Sequence, residues 1–279
     1  MATRLLVQVP IPNGGLVNKV DFGRTASDYS VHRAGFPAEL FARVAPYGIG
    51  IPGQRLLDLG TGTGTLARGF ALKGCRVTGL DPAPSMLEKA RELDRQAGVE
   101  LNYVEGFAES TGLPDASFDV VTAGQCWHWF ERSRAAAETL RLLRDGGAVV
   151  IAHFDWLPLP GSVVEATEAL ILAHNPQWSL AGGCGIYWRW FADLSTAGFI
   201  ALESFSFDVD QLYSHESWRG RIRASAGVAA TLAPTAVERF DTEHAALLAK
   251  RFPSEPLHVP HRVFALIGRK AQTDVPSRT

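Results

Sequence analysis

The chain has 279 residues, of which 46% are hydrophobic and 20% charged, and its formal net charge at pH 7 is −2. This near-neutral charge, without a stretch rich in lysine and arginine, argues against a nucleic-acid partner. The apolar runs are far shorter than the roughly 20 residues of a membrane-spanning helix, and the N-terminal one is too short for a signal peptide. We therefore expect a cytoplasmic α/β protein without a membrane partner.

Between residues 55 and 153, short apolar runs alternate with amphipathic stretches, a pattern typical of a parallel sheet covered by helices. The pattern predicts strands over residues 55–59, 76–80, 101–105, 118–123 and 147–153. Helices are predicted between them, over residues 66–73, 84–97 and 133–143. Asp145 and the two glycines that follow it predict a turn before the fifth strand.

Beyond residue 154 the pattern changes, because Pro158, Pro160 and Gly161 interrupt the chain. A helix is predicted over residues 162–174, and strands over residues 199–209 and 261–269 are separated by about fifty mostly helical residues. Insertions of this kind usually cover a ligand cleft. The three cysteines are far apart and odd in number, so neither a disulfide nor a metal site is predicted.

The most informative stretch is the first strand, which runs into three alternate glycines, Gly60, Gly62 and Gly64. Alternate glycines let the backbone turn sharply and approach a ligand, and the helix that follows offers amide donors. About 21 residues after Gly60 the second strand ends at Asp81, where a carboxylate can accept both hydroxyls of a ribose. Together these features predict a nucleoside site.

The glycine spacing and Asp58 indicate which kind of nucleoside binds. Dinucleotide sites use Gly-x-Gly-x-x-Gly, whereas this chain has Gly-x-Gly-x-Gly. Asp58, two residues before the first glycine, suits an amino group above the turn and repels a pyrophosphate. The ligand is predicted to be a nucleoside with a cationic group and no phosphate, which describes S-adenosylmethionine.

Four segments, in this order along the chain, resemble class I S-adenosylmethionine-dependent methyltransferases of the small-molecule branch, which includes ubiquinone-biosynthesis and trans-aconitate methyltransferase-like proteins. They cover residues 56–67, 79–87, 106–121 and 143–147. The resemblance implies a Rossmann-like sheet of seven strands, mostly parallel, whose last strand runs antiparallel. It also implies methyl transfer from S-adenosylmethionine to an oxygen, nitrogen or carbon of a small-molecule acceptor.

The resemblance further implies contacts with each part of the cofactor. The glycine turn and Asp58 face the methionine part, Asp81 holds the ribose, and Tyr29 faces the sulfonium unless its segment is a surface helix. Phe107 stands where many relatives carry Asp, so apolar packing replaces a carboxylate at the adenine amine unless Glu109 takes that role. The implied contacts are Tyr29, Arg33, Asp58, Gly60, Thr61, Gly62, Gly64, Asp81, Pro82, Met86, Phe107, Ala108 and Gln125.

The segment after the fourth strand stands where acceptor-side residues lie in this family. His128 is either a base or hydrogen-bonding group for the acceptor, or a packed core histidine. Trp127 and Trp129 either line the acceptor site or pack at the start of a helix. Farther along, Arg219 and Arg223, one helical turn apart, either clamp an acceptor carboxylate or form a solvated face. The predicted acceptor contacts are Trp127, Trp129, His215, Arg219 and Arg223.

We therefore expect a helical lid over residues 1–45 and a core that binds S-adenosylmethionine over residues 46–156. Residues 157–270 would hold the remaining core strands, with helical substrate-cap insertions at 157–190 and 208–260, and residues 271–279 a disordered tail. Two alternatives stay open, an NAD(P)-dependent oxidoreductase of Rossmann type and a cofactor-binding scaffold without catalysis. The oligomeric state is not predicted.

Overall fold

The computed structural model describes residues 35–272. The predicted contacts Tyr29 and Arg33, most of the predicted lid, and residues 273–279 of the predicted tail lie outside this range. The strands within it are β1 Arg55–Leu59, β2 Arg76–Asp81, β3 Asn102–Glu105, β4 Phe118–Gly124, β5 Leu143–Trp156, β6 Ile200–Tyr213 and β7 Leu257–Arg269.

Helices connect most of these strands. They are α1 Ala38–Val44, α2 Thr65–Ala71, α3 Pro84–Ala97, α4 Arg132–Leu142, α5 Val163–His174, α6 Trp190–Ala197, α7 His215–Arg223 and α8 Pro234–Arg251, with short 3-10 turns at Ala45–Tyr47 and Trp127–Trp129. The part of the predicted lid that is described forms α1, which packs on α2 through an edge-to-face contact of Phe41 with Phe70. None of the described helices is both long and apolar enough to cross a membrane.

The strands form one sheet in the order β3-β2-β1-β4-β5-β7-β6. Strand β1 pairs in parallel with β2 and β4, and the pairs β2 with β3 and β4 with β5 are also parallel. Strand β7 runs antiparallel to β5, because Gly147 bonds to Lys270 near the start of β5 whereas Leu157, just past its end, bonds to Pro260. The predicted mixed sheet with an antiparallel last strand is confirmed.

Several predicted strand limits are wrong, because β5 ends at Trp156, β6 ends at Tyr213 and β7 begins at Leu257, each three or four residues beyond the predicted limit.

The predicted start of β5 is also wrong. The expected turn at Asp145 lies inside β5, which begins at Leu143, four residues before the predicted start. The parallel pairing with β4 shifts register here, since Phe118 faces Leu143 whereas Val120 faces Ala148. The Asp-Gly-Gly segment, with Gly146 at φ 73°, is an irregularity within the strand instead of a turn before it.

The described chain divides into two compact units. Residues 35–153, 187–206 and 264–272 form the first, whose core includes the side chains of Leu57, Leu59, Val121, Trp127, Ile151 and Trp190. Residues 154–186 and 207–263 form the second, built around Val164, Ile171, Trp218, Ile222, Phe240 and Leu248. The predicted division into core and substrate cap stays a prediction.

The strand order reverses direction at β1, because β2 and β3 lie on one side of it whereas β4 and β5 lie on the other. In open sheets of this kind the crevice beyond the carboxyl ends of the strands at such a reversal is where ligands bind. Here the crevice lies beyond Leu59 and Gly124, the last residues of β1 and β4.

Candidate functional site

The glycine turn after β1 is left-handed at each of its three glycines, with φ of 58° at Gly60, 54° at Gly62 and 76° at Gly64. A Cβ on Gly60 would lie 2.9 Å from Cβ of Cys126, and one on Gly64 would lie 2.6 Å from Oη of Tyr103. Among the described residues 35–272, a Cβ on Gly62 would meet no atom within 4 Å. Packing therefore requires glycine at the two ends of the turn, whereas the middle glycine presents an open face.

Asp81 ends β2 directly beside that open face. Its carboxylate accepts the backbone N–H of Gly62 on Oδ2 and of Ala83 on Oδ1, each over 2.9 Å. Burial raises the pKa of this carboxyl, and the two amide bonds oppose the rise. Because a carboxylate oxygen can accept more than one hydrogen bond, both oxygens keep capacity for the hydroxyls of a ribose.

Asp58 lies fully buried near the end of β1. Thr61 donates its hydroxyl to Oδ2 over 2.7 Å, and Thr122 of β4 donates to Oδ1 over 2.6 Å. Burial raises the pKa of Asp58 to about 6, although the two hydroxyls favour the charged form. The carboxylate thus joins β1, β4 and the turn. Sequence reasoning missed Thr122, which faces Asp58 across the parallel pair.

A buried ionic network supports the turn from behind. Arg68 donates from Nε to Asp94 over 2.8 Å and from Nη2 to the carbonyl of Thr63 over 2.7 Å, and Tyr103 donates to Asp94 over 2.7 Å. Burial and the adjacent carboxylate raise the pKa of Tyr103 far above its usual range. Asp94 was recognisable in the sequence, because it continues the apolar face of a predicted helix as a charged residue.

The predicted adenine contacts lie around the end of β2. The backbone N–H of Gly106 donates to the carbonyl of Asp81 over 3.2 Å, which brings the segment containing Phe107 beside Asp81. Met86 and Ala108 are buried, whereas 49% of Phe107 is exposed. An exposed aromatic ring at this place suits a stacking or edge contact with a base.

Glu109, the alternative carboxylate for the adenine, contacts the start of α4. Its Oε1 accepts the backbone N–H of Glu131 over 2.8 Å. Glu131 is the N-cap of α4, so Glu109 supports the first turn of that helix. Whether Glu109 or Phe107 faces the base stays a prediction.

Beyond β4, the chain turns sharply at Gln125, which is left-handed with φ of 64° although it is not glycine. Its backbone N–H donates to the carbonyl of Ala152 over 2.8 Å, which fastens this turn to β5. Such strained residues persist where the surrounding structure fixes them, and they cluster at functional sites. The role of Gln125 as a cofactor contact stays a prediction.

The predicted acceptor residues divide into different environments. Trp127 is fully buried and donates from Nε1 to Asp193 over 3.1 Å, which makes it part of the core. His128 is only partly buried, and its ring lies against Trp129 with centroids 4.4 Å apart. Nδ1 of His128 lies 3.3 Å from Nε2 of His153, a residue at the end of β5 that sequence reasoning missed.

The two predicted arginines of α7 belong to the second unit and have carboxylate partners there. Arg219 and Arg223 both bond to Asp241, and both also bond to Glu216. These bonds lower the pKa of Asp241 against the opposing effect of its burial. An acceptor carboxylate would have to compete with Asp241 and Glu216 for this pair. His215, also predicted here, lies with Nε2 at 2.8 Å from the carbonyl of Phe252.

Several known proteins similar to this chain are methyltransferases. Residues 57–151 match a family of methyltransferase domains. A methyltransferase of Mycobacterium bovis is 36% identical over 128 residues, which cover 46% of this chain and 49% of that protein. The malonyl-[acyl-carrier protein] O-methyltransferase of Serratia marcescens is 37% identical over 132 residues, 47% of this chain and 50% of that protein.

The chain thus spans about half the length of the curated relatives it matches. A solved structure described as a type II methyltransferase from Anaeromyxobacter dehalogenans superposes with a TM-score of 0.57. The superposed residues cover 86% of this chain and 97% of the chain in that structure, at 23% sequence identity. This likeness concerns the fold.

The fold is a Rossmann-like domain, and the glycine turn and Asp81 form a candidate nucleoside site at the carboxyl ends of β1 and β2. Residues 57–151, which match the family, form a methyltransferase domain of the class I S-adenosylmethionine-dependent type. The resemblance carried by the four sequence motifs is therefore confirmed, and S-adenosylmethionine is the cofactor of this class.

Proposed function

We propose that this chain transfers a methyl group from S-adenosylmethionine to an oxygen, nitrogen or carbon atom of a small-molecule acceptor. The observation that carries the proposal is the open face of Gly62 beside the oriented carboxylate of Asp81. A face without side chains lets a ligand approach the backbone, and a carboxylate at the end of β2 suits a ribose. The buried negative charge of Asp58 disfavours a pyrophosphate.

The residues present fit S-adenosylmethionine at each part of the turn. Asp81 would hold the ribose hydroxyls, the Gly60–Gly64 turn would hold the methionine part, and Phe107 and Met86 would flank the adenine. When bound, S-adenosylmethionine supplies a methyl group on a sulfonium sulfur, which keeps the electron pair of the broken bond. The chain's main task is then to hold the acceptor in line with that methyl group at contact distance.

His128 is the residue we propose as the base toward the acceptor. It follows β4 at the carboxyl edge of the sheet and is only partly buried, unlike the neighbouring Trp127. A hydroxyl or an ammonium group becomes a better nucleophile when a nearby imidazole takes its proton during attack. An acceptor whose attacking atom is already deprotonated would not need this help.

Titration calorimetry with S-adenosylmethionine and S-adenosylhomocysteine tests the cofactor. We expect heat from both ligands and competition between them, and absence of heat from the folded protein would overturn the proposal. NADH serves as the comparison ligand, since tight binding of NADH would favour the oxidoreductase alternative.

The acceptor is to be identified by a methyl-acceptance screen over small acids, phenols and amines, read by mass spectrometry. We expect at least one acceptor to gain a methyl group while S-adenosylhomocysteine accumulates in equal amount. Binding of S-adenosylmethionine without any such product would favour the scaffold alternative, because a fold of this type does not by itself establish catalysis.

A further inference from the structure

Two histidines meet where β4 and β5 end. His128 lies in the 3-10 turn after β4 and His153 lies near the end of β5, with Nδ1 of His128 at 3.3 Å from Nε2 of His153. The two strands are held together just before the rings, because Gln125 donates its backbone N–H to Ala152. At this distance one of the two nitrogens carries the proton and the other accepts it.

His153 is held rigidly by its surroundings. Only 2% of the residue is exposed. Its ring lies with its centroid 4.5 Å from that of Tyr187 and 4.9 Å from that of Trp190, and these two rings are stacked at 4.0 Å with an interplanar angle of 7°. The stacked pair therefore fixes the plane of the His153 ring, and with it the direction in which Nε2 points.

The two rings differ in their access to water. His128 is partly exposed, whereas His153 is enclosed by aromatic rings. His128, the more exposed of the two, is therefore the ring placed to exchange a proton with an acceptor. A doubly protonated His128 must then donate from Nδ1, and His153 must accept that bond at Nε2.

We propose that His153 is a positioning residue for His128. Its Nε2 accepts the N–H at Nδ1 of His128, so that Nε2 of His128 is the nitrogen that takes the proton of the acceptor. This inference rests on the proposed function. As the acceptor forms its bond to the methyl carbon, its proton passes to Nε2 of His128, and the resulting positive charge is stabilised by the bond to His153.

The opposite arrangement has a different chemical result. If Nε2 of His153 carried the proton, Nδ1 of His128 would accept it, and Nε2 of His128 would hold a proton of its own. His128 would then donate a hydrogen bond to the acceptor and would not act as a base. The tautomer of His128 therefore decides between the two roles.

The tautomer can be measured on the protein without ligand or acceptor. The experiment is a long-range ¹H–¹⁵N spectrum of imidazole-labelled protein at about pH 8, well above the usual pKa of histidine. The His128 signals are assigned by their loss in His128→Gln. We expect a protonated Nδ1 and an unprotonated Nε2 at His128, together with an unprotonated Nε2 at His153. A proton on Nε2 of His128 would overturn the inference.

Two variants of His153 separate the hydrogen bond from the packing. His153→Phe keeps an aromatic ring against the stacked pair but accepts no hydrogen bond, so His128 should lose its preference for the Nδ1–H tautomer. His153→Gln places an amide oxygen near the former position of Nε2 and should restore the preference. An unchanged tautomer in His153→Phe would overturn the inference.

The outcome is independent of whether the cofactor proposal holds. Titration with S-adenosylhomocysteine in the same variants should give an affinity within about twofold of wild type, because Asp81 and the glycine turn are unchanged. If wild-type protein gave no heat but showed the expected tautomers, the proposed function would fail while the histidine pair stood. If His153→Phe did not fold, the wild-type and His153→Gln spectra would still decide the tautomer.

Discussion

The backbone N–H of Gly62 donates to Oδ2 of Asp81 over 2.9 Å, and this bond ties the glycine turn to the end of β2. One contact thereby sets the distance between the open face of the turn and the carboxylate proposed to hold the ribose. Substitutions at either residue should change cofactor binding more than they change folding.

The first prediction concerns Gly62→Ala. The added methyl group meets no atom of the described part of the chain within 4 Å, but the residue must keep φ of 54°, which costs about 1 kcal/mol of stability. Because the methyl group projects from the face proposed to hold the cofactor, S-adenosylhomocysteine should bind at least about tenfold more weakly by calorimetry, or about 1.4 kcal/mol.

A matched control is Gly98→Ala at the end of α3. Gly98 is also left-handed, with φ of 69°, and a Cβ there meets no atom of residues 35–272 within 4 Å. Thermal unfolding should show a similar loss of stability in both variants, with wild-type affinity in Gly98→Ala. Wild-type affinity in Gly62→Ala would mean that the cofactor lies elsewhere.

The second prediction concerns Asp81→Asn. The amide replaces one accepting oxygen by a donor, which faces the N–H of Gly62 or of Ala83 and cannot accept from a ribose. We expect affinity for S-adenosylhomocysteine to fall by at least about tenfold, since a buried donor is left opposite another donor. Glu100→Gln, an exposed acid in the loop before β3, is the control and should bind as wild type. Equal affinity in all three proteins would exclude Asp81 from the ribose site.

The third prediction concerns the network behind the turn. Tyr103→Phe removes one bond to Asp94 and should lower the free energy of unfolding by about 1–2 kcal/mol. Arg68→Met should cost more, about 3–5 kcal/mol, because it leaves the carboxylate of Asp94 buried without its cation. Urea denaturation measures both. A smaller loss in Arg68→Met than in Tyr103→Phe would mean that the ion pair does not support the turn.

The fourth prediction is a pH dependence that arises from Asp58. Its pKa is about 6 in the folded protein, against a usual value near 3.8, so between these two values the folded state binds the extra proton. Stability contributed by this group is therefore present at low pH and lost as the pH rises from about 4 to about 6. The total change in the free energy of unfolding is roughly 3 kcal/mol, because each pKa unit corresponds to 1.36 kcal/mol.

Asp58→Asn isolates this dependence, because an amide does not titrate. Urea denaturation at several pH values gives the free energy of unfolding of both proteins. The variant should gain stability relative to wild type as the pH rises from about 4 to about 7. A constant difference between the two proteins would show that the folded environment leaves Asp58 with an ordinary pKa.

The fifth prediction concerns Asp241 in the second unit. Asp241→Asn removes the shared partner of Arg219 and Arg223. We expect the free energy of unfolding to fall by about 1–2 kcal/mol, a moderate loss because the cluster is partly hydrated. If the arginines instead serve an acceptor, the same variant should improve binding of a carboxylate compound found in the screen. Unchanged stability would mean that the ion pairs are screened by solvent.

Much of the fold followed from local signals along the chain. Helix α3 begins at Pro84 and ends at Ala97 as predicted, because proline suits the first helical turn and Gly98 takes the left-handed cap. The β1 limits were also as predicted, since an apolar run ended in glycine. The start of β5 was not predicted correctly, because an Asp-Gly-Gly segment in isolation predicts a turn. Only the pairing with β4 keeps this segment within a strand.

Candidate site residues were predictable from the sequence where they lie within one short segment. They were not predictable where residues far apart in the sequence come into contact. The glycine turn and Asp81 are marked by spacing alone. His153, in contrast, reads as the last residue of an apolar strand, and nothing nearby in the sequence shows that it faces His128. Arg219 and Arg223 have the spacing of a clamp, but their partner Asp241 lies on another helix.

The bond from Thr122 to Asp58 joins β1 to β4 by their side chains at the point where the strand order reverses. Separation of the two strands would break this buried bond as well as the backbone ladder, and would leave a carboxylate without its hydroxyl. The floor of the crevice is therefore held by a side-chain bond in addition to the backbone pairing. We expect the proposed cofactor to enter and leave without separation of these two strands.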